Sequence, residues 1–231
     1  MLCACGRRLR NIGYGLPGET ALDIVHFIFR SACHQMPGRA LEADGFAMPL
    51  CARCAGMYVG LFMGLGCFFI SAVRRGLSRR TWLLAIAAAA GVLWLADGAA
   101  NSFGWLSTPA PARFAVGMFL GLSVSPLVVR LYLEESGGVR TLPAGGSWPI
   151  LGVFAAAGLV AFLNFHPARV FLLAESAVAL AGFLLLLALI HAALLSAGLR
   201  GVRQAAAFSM AGVTVTAQIV LVSCVRGLVG V

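Results

Sequence analysis

Apolar residues in this chain come in long blocks separated by short basic gaps, and the blocks set the architecture. Six apolar runs lie near Gly56–Val73, Thr81–Phe103, Ala112–Leu133, Trp148–Phe165, Val170–Ala197 and Ala205–Val225. Each has, or nearly has, the roughly 20 residues a helix needs to cross a hydrocarbon core about 30 Å thick. Backbone in lipid must satisfy its own hydrogen bonds, so the runs predict helices. A shorter apolar stretch, Ala21–Cys33, opens on a capping-box-like Thr20-Ala21-Leu22-Asp23 and contains His26 and Arg30. It reaches only about 20 Å and is expected in the interface or packed among other helices. The fold expected is all-α: a polytopic transmembrane bundle of about six spans plus a short N-terminal helix.

The polar segments divide the chain further. Residues 1–19 form a glycine-rich arm with Cys3, Cys5, Arg7, Arg8 and Arg10, and no apolar core follows that cluster directly. A signal peptide would need one, so the arm is expected to be retained. Residues 20–231 read as a single transmembrane domain. Between the short helix and the first span, residues 34–54 form a polar, hairpin-like connection, with Pro37-Gly38 and Pro49 as breakers and Glu42 and Asp44 as its acids.

Composition supports the membrane reading. Of 231 residues, 61% are hydrophobic and 11% charged, where a soluble domain carries about 25% charged residues. The formal net charge is +9, and all 17 basic residues are arginine. Those arginines sit mainly in the gaps between apolar runs, the distribution of a topology signal rather than of a nucleic-acid-binding face. Arg74, Arg75, Arg79, Arg80, Arg130, Arg140, Arg200 and Arg203 fall on one side, against Arg113, Arg169 and Arg226 on the other. The arginine-rich side is expected in the cytoplasm, which places the stretch Cys33–Cys54 on the outer face of the cell (inner) membrane. The N-terminal arm, if also outside, reduces that asymmetry. The expected partner is the lipid bilayer and not nucleic acid; a homo-oligomer is allowed. Gly56, Gly60 and Gly64 recur at intervals of four, as do Gly117 and Gly121. Small residues at that spacing let helix backbones approach closely in lipid, although glycine is common enough in this chain for some matches to arise by chance.

Candidate chemistry concentrates at the entry to the first span. Cys51-Ala52-Arg53-Cys54 is a Cys-x-x-Cys at a helix mouth, where both thiols can face one point. Helix N-terminal amides and Arg53 would favour thiolate, the form that binds soft metals or attacks disulfides. Upstream, Cys33 and His34 stand across a connection able to fold back, which completes zinc-like spacing. Adjacent residues on a helix point about 100° apart, so Cys33 and His34 cannot both ligate unless the helix has ended. The metal-ligand candidates are Cys33, His34, Cys51 and Cys54, in either a closed four-ligand site or a three-ligand site with an open position.

The order Cys33-His34-Gln35, then Pro49-Leu50-Cys51-Ala52-Arg53-Cys54-Ala55-Gly56-Met57-Tyr58-Val59-Gly60, resembles the bacterial and archaeal membrane protein family known as domain of unknown function twenty eighty-five. The resemblance runs from Cys33 to Gly121 and includes Asp97-Gly98, Arg113, Gly117 and Gly121. Ala55 stands where the family pattern has threonine or serine, and Ala40 where it often has serine; neither position is a ligand candidate. The resemblance implies an integral membrane protein and supplies no activity.

Polar residues within the runs extend the site. Asp97 and Asn101 lie four apart on one face of the second span, Arg113 begins the third, His166 and Arg169 occupy the next outer loop, and Glu175 enters the fifth. Charges inside a membrane need partners, and Asp97 with Arg113 is the expected pair. Asp97, Arg113 and Glu175 are the catalytic candidates, converging with the cysteines and His166 towards the outer side. Two chemistries fit. Zinc, structural or hydrolytic, held by Cys51, Cys54 and Cys33 or His34, is the first, with Asp97, His166 or Glu175 supporting it. A reversible Cys51–Cys54 disulfide passing electrons to a quinone, with Cys33 or the Cys3-x-Cys5 pair as relay thiol, is the second. A transporter with Asp97 and Glu175 along its path, and purely structural thiols, complete the alternatives. Asp97→Asn is expected to harm the fold or site more than Asn101→Ala.

Overall fold

Four of the expected spans are helices within a few residues of the apolar runs that announce them. The computed structural model describes residues 19–33, 38–75, 80–135, 156–160, 164, 168–198 and 219. Helix α1 covers Glu19–Arg30, strand β1 Ala40–Ala43, strand β2 Phe46–Cys51 and helix α2 Ala52–Arg75. Helices α3 (Arg80–Ser102), α4 (Ala110–Glu135) and α5 (Arg169–Gly198) follow. The stretches Ala52–Phe69, Leu83–Ser102, Ala110–Leu133 and Arg169–Ala193 are each long and apolar enough to cross a membrane. The expected spans Trp148–Phe165 and Ala205–Val225 lie largely outside the described residues, where 156–160 and 219 are helical. The arm 1–18 lies outside them entirely.

One element adds to the all-α expectation. The connection before α2 is a true antiparallel hairpin, with Ala43 paired to Phe46 across the two-residue turn Asp44-Gly45. Both turn residues have positive φ, 50° and 73°, the left-handed pair whose twist matches that of the flanking strands. Further along, Ala40 pairs with Cys51 after an irregularity in register. Pro49 sits in that irregular stretch and, having no N–H to give a ladder, accounts for it. The register sets Cys51 as the last strand residue and Ala52 as the first of α2.

The α2–α4 seam is the backbone of the bundle. Gly56 faces the Phe114 carbonyl, Gly60 the Met118 backbone, Gly117 the Arg53 carbonyl and Gly121 that of Met57. A Cβ at any of them would collide with the opposing main chain, so the two glycine series read from the sequence pack against each other across one interface. On the other side of α2, α5 packs in through Gly182 against Tyr58. Phe29, Tyr58 and Phe183 join α1, α2 and α5, with ring centroids 5.2–6.5 Å apart. Helix α3, by contrast, leans on α4 and turns Val92, Leu93 and Leu95 outward. That apolar face suits lipid contact.

Candidate metal centre

Three sulfurs meet where the hairpin enters the bundle. Helix α1 stops at Arg30, and its last turn tightens through Ser31 N–H to Ile28 O at 3.1 Å, Ala32 N–H to Phe29 O at 3.0 Å and Cys33 N–H to Phe29 O at 2.8 Å. Cys33 has therefore left the helix, which frees its side chain from the helical repeat. At the far end of the hairpin, Ala52 N–H donates to Arg39 O at 2.8 Å and pins the junction between Cys51 and α2. Cys54 follows in the first turn of α2. The Sγ atoms of Cys33, Cys51 and Cys54 all lie within 4.8 Å of one another, a group that can hold a metal ion. Thiolates about 2.3 Å from a tetrahedral zinc stand about 3.8 Å apart, so a small contraction suffices.

The electrostatics differ from the expectation at Cys51. Its thiol is pushed above the ordinary range, first by the hydrogen bond with Cys33 and then by burial and the Cys33 charge. Hydrogen bonds with Cys54 pull the other way. The neighbouring Cys33 and burial thus set a direction opposite to the one the sequence suggested. Divalent cations reverse this, because a coordinating thiol is deprotonated outright.

Arg53 reaches across to α3. Its Nη1 lies 3.5 Å from Asp97 Oδ2 and 3.3 Å from the Trp94 carbonyl, and its Cζ sits 4.8 Å over the Trp94 ring. The guanidinium is laid against Gly98, which has no side chain to displace it. The expected pairing of Asp97 with Arg113 is thus corrected: Asp97 pairs with Arg53, and Arg113 donates through Nη2 to Asn101 Oδ1 at 2.6 Å. Sequence neighbours across a short loop suggested the first pairing. Gly98, the residue after Asp97 on α3, leaves room for the Arg53 guanidinium of α2.

Asn101 is the hub of this corner. Its Nδ2 donates to Asp97 O at 2.7 Å, Asp97 Oδ1 at 2.9 Å and Thr108 Oγ1 at 2.9 Å. Its Oδ1 accepts from Thr108 N–H at 3.0 Å as well as from Arg113. Thr108 also donates to Asp97 Oδ1 at 2.9 Å. Asn101→Ala would strip acceptors from Arg113 and Thr108, whereas Asp97→Asn keeps an oxygen for Thr108. Asn101→Ala is therefore expected to destabilise by about 2–3 kcal/mol and at least as much as Asp97→Asn, reversing the order expected from sequence. Melting temperatures of the two variants in detergent check this; a clearly larger loss for Asp97→Asn refutes it.

A cavity of about 270 Å³ opens between these groups, lined by Cys33, Cys51, Cys54, Arg39, Arg53, Trp94, Asp97, Asn101 and Arg113 among others. It gathers three of the expected metal ligands and two of the three catalytic candidates. His34 and His166 lie outside the described residues. Glu175 does not line the cavity; it is buried on α5, where Asn164 Nδ2 donates to its Oε1 at 2.8 Å. Arg39, Trp94, Ala32 and Ser102 are the lining residues that sequence reasoning had not assigned to the site, and Arg53, expected to act on the thiols, pairs with Asp97 instead.

The part of the chain that builds this cavity is also the part shared with known proteins. Residues 33–127 match DUF2085, a family described as predicted membrane protein. The DUF2085 match opens on Cys33 and takes in all three cysteines, the three cavity arginines, Trp94, Asp97 and Asn101. It ends before Glu175. An uncharacterised protein of Methanocaldococcus jannaschii is 28% identical over 111 residues, covering 48% of this chain and 69% of the relative. A second, from Methanothermobacter thermautotrophicus, is 29% identical over 99 residues, covering 43% and 86%. No solved structure matches. The family resemblance carried by the Cys-His-Gln and Cys-x-Arg-Cys motifs agrees with this match.

Proposed function

We propose that this membrane protein carries a zinc centre held by the thiolates of Cys33, Cys51 and Cys54, with an open coordination position facing the cavity. The observation that supports it is the mutual approach of three Sγ atoms on a cavity wall. Three sulfurs all within reach of one another suit three corners of a tetrahedral ion, while a disulfide relay through Cys33 would use the same three in turn. Among the described residues three protein ligands converge, which with an open fourth position is the pattern of a catalytic site, whereas a fourth bond from His34 would make a closed structural one. Zinc so bound supplies Lewis acidity and lowers the pKa of a bound water. The chain's own part is to hold the sulfurs from three segments, to keep Asp97 fixed by Arg53, Asn101 and Thr108 on the same cavity, and to back the cysteines with the apolar core that contains Phe29, Tyr58 and Phe183.

The reading is tested by elemental mass spectrometry of protein purified without air or chelator. About one zinc per chain is expected. Metal at background, together with a Cys51–Cys54 disulfide that forms and reduces reversibly, would replace the zinc reading by the thiol–disulfide one and make quinone the next ligand to test. Glu175→Gln is expected to leave zinc content unchanged, since Glu175 lies outside the cavity; a drop in the folded variant would return Glu175 to the centre.

The proposed location is the outer face of the cell membrane. Arg74 and Arg75 end α2 and Arg80 begins α3, at the end of the bundle away from the cysteines. The positive-inside tendency assigns that end to the cytoplasm. A fluorescent-protein insertion in the connection 76–79 is expected to be bright, and an alkaline phosphatase insertion there inactive. The opposite pair of results overturns the orientation.

A further inference from the structure

We propose that the cavity beside the three cysteines is a receptor for a small oxyanion, with Arg39 and Arg113 as its anchoring cations. Three arginines line it against one acid, Asp97. Among the described residues, the ion pair at this cavity joins Asp97 to Arg53, so neither Arg39 nor Arg113 has an acidic partner there. Arg113 is met by a neutral amide oxygen, that of Asn101. The wall also carries three buried donors with no acceptor, Arg53 Nε, Arg113 Nε and Trp94 Nε1, against one buried acceptor with no hydrogen-bond donor, Asp97 Oδ2.

An excess of fixed cations and idle donors in a low-dielectric corner is costly unless something negative completes it. Counting neutral thiols, the cavity holds two positive charges beyond Asp97; with a divalent ion on three thiolates it holds one. The sign is the same in both states, so the charge argument stands apart from the zinc reading. Guanidinium groups present paired N–H donors that match the oxygens of phosphate or carboxylate. A volume of about 270 Å³ exceeds one such group, leaving room for a modest substituent. Where the zinc reading holds, the anion shares its space with the open coordination position, which makes it the charged handle of a substrate; that clause alone rests on the proposed centre. A free phosphate ester and a lipid headgroup present the same chemistry.

The test is calorimetric titration of inorganic phosphate into the full chain in phosphatidylcholine nanodiscs, with zinc measured on the same sample. Saturable binding of about one phosphate per chain is expected, weakened about tenfold or more by Arg113→Gln and by Arg39→Gln. Arg39 precedes β1 outside the helices, so its variant keeps the test open if Arg113→Gln fails to fold. Absence of saturable binding to folded protein, or affinity unchanged in Arg39→Gln and Arg113→Gln, overturns the proposal. Binding to a chain without zinc supports it while refuting the metal centre; a zinc-loaded chain that ignores phosphate does the reverse. Repeating the titration with phosphatidylglycerol in the disc identifies the source, given phosphate binding. Competition supports a headgroup occupant, and unchanged affinity supports a soluble one.

Discussion

Cys54→Ser is expected to lose zinc almost completely while the bundle still assembles. The substituted hydroxyl is a poor ligand for a soft-tolerant cation, and only Cys33 and Cys51 remain of the three converging sulfurs. Outer-shell changes at metal sites already cost about 10–100-fold in affinity, so loss of a direct ligand should exceed the upper end of that range. Serine is smaller and does not strain the first turn of α2, and the α2–α4 seam is built from other residues. The measurement pairs zinc per chain with melting temperature. Zinc retained at the wild-type level in Cys54→Ser would end the three-thiolate reading, whatever the effect on stability.

The second large effect should come from a residue that is not itself a candidate ligand. Gly117→Val is expected to reduce membrane abundance and melting temperature sharply, and to lower zinc content in whatever protein survives. A Cβ at position 117 meets the Arg53 carbonyl and the Met57 backbone, neither of which can rotate aside. Overpacking typically costs about 1–3 kcal/mol, and a main-chain collision belongs at or above the upper end. Because Arg53 immediately precedes Cys54, the displacement passes directly to the sulfur cluster. Gly66→Ala is the control: Gly66 lies on α2, and nothing stands within 4 Å of where its Cβ would fall. Similar losses in the two variants would show that the seam does not govern stability.

Much of the architecture could be read in advance because lipid imposes it. Run length and backbone satisfaction alone place α2, α3, α4 and α5, and the glycine spacing anticipates which faces of α2 and α4 come close. The three cysteines were also legible, since spacing across a foldable connection is a local property. The hairpin turn was signalled by Asp44-Gly45 between two apolar-rich segments, a cue overshadowed by Pro37-Gly38 and Pro49. Partner choice was not legible. Asp97 could be seen to need a cation, but whether Arg113 or Arg53 supplied it depended on how helices rotate against each other. Glu175 shows the same limit: position along a span gives its depth, while its direction, towards Asn164 and away from the cavity, follows from tertiary packing.

The three sulfurs belong to three successive pieces of chain: the exit of α1, the last residue of β2 and the opening turn of α2. Any ion that joins them is therefore a cross-link, closing the hairpin into a ring and fastening α1 to the bundle. Closing a loop of about 15 residues with a covalent bridge removes about 3 kcal/mol of freedom from the unfolded chain, and a tight thiolate–metal linkage acts in the same sense. Detachment of α1 would then be timed by the dissociation rate of the ion rather than by the packing of Phe29. Protease sensitivity near the N-terminus becomes a clock for metal release.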